Sequence, residues 1–160
     1  KNVLRAMKIF SSAIGPSGVC GGQVLDMDAH SALEDSDYVR KIAALKTGAL
    51  IKASVLSGAA LGTDDEALLS CYNNYGAHLG SAFQIIDDIL DVVGTDEEMG
   101  KTVGKDAEQG KITHVTVFGL EKARIMAESE SVMAKKSLSS VLGQDDFMMN
   151  LPDYLVYRTN

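Results

Sequence analysis

Apolar residues recur along this chain at helical spacing, and no stretch offers a strand pattern of comparable quality. Val3, Leu4, Ala6, Met7 and Phe10 lie on one face of a predicted first helix, which the Gly15-Pro16-Ser17-Gly18 breaker ends. A second helix is predicted from Val19 to Asp28, followed by a polar connection from His30 to Asp37. Between Tyr38 and Leu61 the small residues Ala43, Ala44, Gly48, Ala49, Ala53, Gly58 and Ala59 permit close helix contact, which suits a central, buried helix. Thr63-Asp64-Asp65-Glu66 reads as a capping box, with Thr63 at the N-cap and Glu66 reaching back. From there Leu68, Tyr72, Tyr75, Leu79, Ala82, Ile86, Leu90 and Val93 step by four and three residues, predicting a long helix that stops before Gly94. A charged, glycine-rich loop to Gly110 comes next, then predicted helices over Thr113 to Phe118, Leu120 to Leu142 and Phe147 to Tyr157. The expected fold class is all-α in a single domain, with no internal repeat.

Composition agrees. The 160 residues are 46% hydrophobic and 23% charged, enough for a globular core, and only two prolines, Pro16 and Pro152, interrupt the helix formers. A net charge of -7 argues against nucleic acid or an anionic membrane as partner, since both demand a basic surface. Cys20 and Cys71 show neither metal-ligand spacing nor a disulfide framework, so packing roles in a reducing cytosol are expected. No apolar run approaches the roughly 20 residues of a membrane span and no signal-peptide pattern is visible, so a soluble, cytoplasmic protein is expected. The helical pattern begins at once, without an initiator Met or a cap, so Lys1 reads as a cut inside a larger chain.

Candidate chemistry sits at the end of the long helix, in Gln84-Ile85-Ile86-Asp87-Asp88-Ile89-Leu90-Asp91. At about 100° per residue, taking Asp87 as zero, Asp91 falls at about 40°, Gln84 at about 60° and Asp88 at about 100°. Three carboxylates and an amide therefore share one side, backed by Ile85, Ile86, Ile89, Leu90, Val92 and Val93. Their mutual repulsion is relieved by a divalent cation, and hard oxygen donors on successive turns suit Mg2+. A solvated acidic helix end fits the same pattern. Negative charge here also opposes the helix macrodipole, a local violation that favours a functional reading.

Lysines supply the complementary charge. Lys46 lies in Lys46-Thr47-Gly48 within the small-residue helix, where a lysine that merely snorkels outward is the alternative. Lys101, Lys105 and Lys111, set among Gly100, Gly104 and Gly110, suit a loop that wraps a polyphosphate, although a plain charged surface loop looks similar.

Together these segments resemble the trans-isoprenyl diphosphate synthases, the farnesyl and geranylgeranyl type, over about two-thirds of the chain. The matching pieces are Gly21-Gly22-Gln23 with Asp26, Lys46-Thr47-Gly48, Phe83 to Asp91, and Gly100-Lys101, Gly104, Asp106 and Gly110-Lys111, in that order. The resemblance implies the C-terminal half of an isoprenoid synthase helical bundle, with the N-terminal half and its own aspartate motif absent. It implies three Mg2+ ions in the complete site, with Asp87, Asp88 and Asp91 as this half's metal residues and Asp87 the main ligand. Lys46, Lys101 and Lys111 would meet the diphosphate, and Lys46, Thr47 and Gln84 would serve catalysis near the developing allylic cation. The implied substrates are isopentenyl diphosphate and an allylic diphosphate, the product a short-chain trans-polyprenyl diphosphate, and the assembly a homodimer. The fragment alone is expected to be inactive. One departure is Thr113-His114-Val115, where the family often has Thr-Tyr-Pro or Thr-Phe-Pro. A terpene cyclase, or a non-catalytic subunit that tunes a partner synthase, are the alternative readings.

Overall fold

The structure, a computed structural model, describes residues 1–28, 36–93 and 111–158. Every regular element among them is helical. In chain order they are α1 (Asn2–Ile14), α2 (Val19–Met27), α3 (Ser36–Ala43), a π-helical turn (Ala44–Gly48), α4 (Ala49–Gly62), α5 (Glu66–Val93), α6 (His114–Phe118), α7 (Leu120–Leu138) and α8 (Phe147–Val156). The all-α expectation holds. The polar connection from His30 and the loop carrying Lys101, Lys105 and Asp106 lie outside the described residues. α7 ends at Leu138, four residues before the predicted stop, in a turn whose Leu142 N–H still reaches the Leu138 carbonyl at 3.0 Å.

α5 is the axis of the bundle. One face of it packs along α7, where Ala123, Ala127, Ser131, Ala134 and Leu138 are buried at spacings of four and three. Ile85, Ile86, Ile89 and Leu90 close against Ala123 and Ala127, while Tyr75 and Leu79 close against Ala134 and Leu138. Its other face receives α4, which α1 covers from outside.

The start of α5 differs from the capping box read in the sequence. Asp65, not Thr63, caps it: Oδ1 accepts from the N–H groups of Ala67 and Leu68 at 2.8 and 3.2 Å. Thr63 instead accepts from the Asp65 N–H at 3.1 Å. Glu66 leaves the cap altogether and takes both guanidinium nitrogens of Arg5 at 2.8 and 2.7 Å, joining α5 to α1. A bidentate guanidinium offers a carboxylate better geometry than a single backbone N–H.

The continuous helical stretch Ser36–Gly62 also departs from expectation. By length and composition it is the one helix among the described residues able to cross a membrane. The sequence offers no unbroken apolar run here because Lys46 and Lys52 interrupt it, but the mean hydropathy of the joined helix is high. About a third of its most apolar stretch is buried, so the central, buried helix expected from the sequence is found on one face only: Val39, Ile42, Ala43, Ala49, Ala53 and Ala60 are covered, in a stretch that packs against α1, α2 and α5, while Leu50 and Leu61 are exposed.

α8 contains Pro152, fully buried. Proline has no N–H, so the Met148 carbonyl four residues back loses its helical donor. The Tyr75 hydroxyl fills the vacancy at 2.7 Å. Burial, and then the Asp146 carboxylate, push the Tyr75 phenol well above its ordinary range, so it stays a donor. Tyr75→Phe leaves that carbonyl unpaired and should cost about 1–3 kcal/mol in urea denaturation, whereas Tyr72→Phe, on the same helix, should cost less than about 0.5 kcal/mol.

Candidate active site

The site begins with a helix irregularity. α3 would continue into α4 as one α-helix, but Ala44–Gly48 widens into a π turn, and Lys46 and Thr47 lie in it. Two glycines hold this turn from opposite sides. A Cβ on Gly22 of α2 would stand 2.3 Å from the Lys46 backbone nitrogen, and one on Gly80 of α5 would stand 2.8 Å from the Gly48 Cα. The backbones touch where side chains would ordinarily intervene. The irregular turn is thereby set between α2 and α5, with Lys46 and Thr47 on the wall of a cleft.

That cleft has a volume of about 240 Å3. Lys46, Thr47, Gln84, Asp87, Asp88 and Lys111 all line it, so the structure brings together six of the residues singled out from the sequence. Asp91 is buried and does not line it. Lys101 lies outside the described residues. Asp26 lines the cleft, as the resemblance implies, and pairs with Lys46 Nζ at 2.7 Å, which gives it a partner that sequence reasoning left unassigned.

The three aspartates occupy different environments. Asp87 is the accessible one, its side chain 45% exposed, with Arg158 Nη2 at 4.0 Å. Arg158 lies over the Phe83 ring at 4.6 Å, and its Nε is buried with no hydrogen-bond partner among the described residues. Asp88 is 6% exposed and engaged at both oxygens. Oδ1 accepts from Gln84 Nε2 at 2.8 Å, and Oδ2 accepts from the His114 backbone N–H at 2.8 Å and from His114 Nδ1 at 2.7 Å. The Thr47 hydroxyl in turn donates to Gln84 Oε1. A chain of donors thus runs from the π turn through Gln84 to Asp88 and meets α6 there.

His114 and Arg158 were not found from the sequence. The signal for His114 was the departure at Thr113-His114-Val115. Thr113 is the N-cap of α6, its Oγ1 accepting from the Thr116 N–H at 3.2 Å, and this cap turns His114 inward where it is 2% exposed. A lone arginine near the end of the sequence carried no comparable signal.

Among the described residues no three His, Cys, Asp or Glu side chains are placed to hold a metal by themselves. The donor set nevertheless fits Mg2+ of the shared kind. Asp87 offers half-exposed carboxylate oxygens on a long helix, in a cleft that two lysines also line, and Mg2+ takes one or two carboxylates while leaving positions to water and phosphate.

An all-α bundle with acidic and basic side chains converging on one cleft is the arrangement of the isoprenoid synthases. Residues 1–145 match the family model for polyprenyl synthetase, and the chain belongs to that family. It is 39% identical to a dimethylallyltranstransferase of Fischerella ambigua, over 99% of this chain and 46% of that protein. It is 40% identical to the farnesyl diphosphate synthase of Escherichia coli, over 93% of this chain and 51% of that one. The crystal structure of a geranyltransferase from Helicobacter pylori complexed with magnesium and isoprenyl diphosphate superposes with a TM-score of 0.80 at 28% identity, covering 97% of this chain and 51% of that one. The chain spans about half the length of the curated relatives it matches.

The glycine contacts are directly testable. Gly22→Ala should lower stability by about 1–3 kcal/mol, since the Lys46 backbone must move to admit the methyl group. Gly58→Ala, whose Cβ would meet nothing within 4 Å, should instead add about 0.5–1 kcal/mol. Urea denaturation of the two variants measures both signs.

Proposed function

We propose that this chain forms the C-terminal half of a Mg2+-dependent trans-prenyltransferase, which condenses isopentenyl diphosphate with an allylic diphosphate to give a short-chain product of the farnesyl or geranylgeranyl class. The observation that carries this reading is the gathering of Lys46 and Thr47, Gln84, Asp87 and Asp88, and Lys111 from three separated segments onto one cleft wall. The names of the relatives support the same reaction class. At about 240 Å3 the cleft is smaller than the roughly 300–1,000 Å3 of ordinary ligand pockets, as suits one wall of a larger site.

The residues divide by charge. Lys46 and Lys111 line the same cleft as Asp87, where their ammonium groups attract diphosphate oxygens and stabilise the charge that builds as the allylic C–O bond breaks. Lys101 joins them on the strength of the family resemblance. Magnesium, when bound, supplies Lewis-acid stabilisation of the same leaving group. Asp87 would hold it directly, with Asp88 and Asp91 adding negative charge behind. Thr47 and Gln84 present oxygen atoms to the region in which the allylic cation forms. Isopentenyl diphosphate then attacks through its double bond, and loss of a proton completes the extension by one isoprene unit.

Three ions in the complete site, a cytosolic location and pairing with a second copy belong to this proposal. Ser36–Gly62 packs on three neighbouring helices along one face, and its remaining apolar face would be covered in the complete protein. The 160-residue chain alone should incorporate no labelled isopentenyl diphosphate. In the complete enzyme Asp87→Ala and Lys46→Ala should each lower kcat/KM by about 100-fold or more, and chelation of Mg2+ should abolish turnover. Unchanged incorporation in either variant would refute the assignment.

A further inference from the structure

Asp88 is a carboxylate almost withdrawn from water beside a cleft that calls for acidic side chains. An ionised carboxylate only accepts hydrogen bonds, so the proton in the 2.7 Å contact with His114 is on Nδ1. Two N–H groups of one residue therefore converge on Oδ2, the backbone donor at 2.8 Å and the ring donor beside it, while Gln84 Nε2 holds Oδ1. The carboxylate plane is fixed from both ends.

This arrangement sets the direction of everything upstream. With Asp88 as the acceptor, the Gln84 amide must turn its nitrogen toward Asp88 and its oxygen toward Thr47; the flipped amide would set oxygen against oxygen. The Thr47 hydroxyl must then donate to Gln84 rather than accept from it. The order of the cleft's polar wall thus follows from the Asp88 carboxylate, whose other oxygen is held by α6.

We infer that His114 is a positioning residue of the proposed site: through Nδ1 it locks the Asp88 carboxylate and, by way of Gln84, the Thr47 hydroxyl, leaving Asp87 as the accessible acid for metal and diphosphate. The inference rests on the proposed function. Without the ring donor, Asp88 keeps only the backbone N–H on Oδ2 and its plane can swing, carrying the Gln84 amide bonded to Oδ1, and the Thr47 hydroxyl behind it, out of position.

The competing explanation is packing alone. The imidazole stacks on Phe118 with ring centroids 6.2 Å apart, so a ring could be wanted there for volume. Two substitutions separate the roles. His114→Phe keeps a ring and its volume but removes the donor. His114→Asn loses the ring but places an amide N–H where the imidazole places Nδ1.

In the complete protein, Mg2+-dependent binding of a bisphosphonate, a diphosphate mimic, is measured by calorimetry beside kcat, the KM for isopentenyl diphosphate and the melting temperature. His114→Phe should weaken bisphosphonate binding and lower kcat by about tenfold to a hundredfold with KM little changed, the usual cost of losing a group that orients a ligand-holding side chain. His114→Asn should recover most of both losses despite melting lower. Wild-type behaviour of the Phe variant, or an Asn variant worse than Phe in binding and kcat, would overturn the inference. Should the Phe variant not fold, the Asn variant decides alone: binding within a few-fold of wild type supports the role, and a tenfold loss refutes it. A wild-type protein that binds no bisphosphonate in Mg2+ would overturn the proposed function, and this inference with it.

Discussion

The burial of the Asp88 carboxylate is the constraint on which the site depends. Taking such a group out of water costs several kcal/mol unless its oxygens are hydrogen-bonded. Here the donors come from α6 and from the preceding turn of α5. The same bonds that make the charge tolerable also tie α6 to the long helix and orient Gln84. Fold and site are therefore not separable at this point: the chain cannot satisfy Asp88 without also ordering the cleft wall.

A second constraint acts from the other side. The π turn that carries Lys46 and Thr47 lies between helices whose approach allows no Cβ at Gly22 or Gly80. Such contacts are stiff, because no side chain is present to yield. Lys46 is further held by Asp26 from α2, so a cation on one helix and a carboxylate on its neighbour are set in place before any ligand arrives. Between the glycine-seated turn and the Asp88 junction, Asp87 is half-exposed on a cleft wall that Lys46 and Lys111 also line. That is an arrangement suited to an ion shared with phosphate rather than enclosed by protein.

What could be read from the sequence followed the range of the interactions concerned. The apolar seam of α5 and the breaker at Gly15-Pro16-Ser17-Gly18 are local patterns, and the helices they predict are present. The cap of α5 was misread because Glu66 has a partner 61 residues away in Arg5, which no local motif discloses. A rotation of 100° per residue rightly grouped Gln84, Asp87 and Asp88, but it could not say where α6 and α7 would cover the helix, and Asp91 is buried off the cleft. Lys46 and Thr47 stand in a turn that does not follow α-helical rotation at all. The bond that His114 makes is to a residue 26 positions earlier, and the Tyr75 hydroxyl answers the donor that Pro152 lacks; neither pairing is a local pattern.

The central claim is that Asp87 presents its carboxylate to a divalent ion bridged to diphosphate in this cleft. Crystals of the complete protein grown with Mn2+ in place of Mg2+ and an isoprenyl diphosphate test it through anomalous scattering. The account predicts a manganese peak in contact with Asp87 and a phosphate oxygen, with Lys46 and Lys111 turned toward the same diphosphate. A diphosphate bound with no manganese at Asp87, or manganese found only elsewhere on the surface, would contradict it.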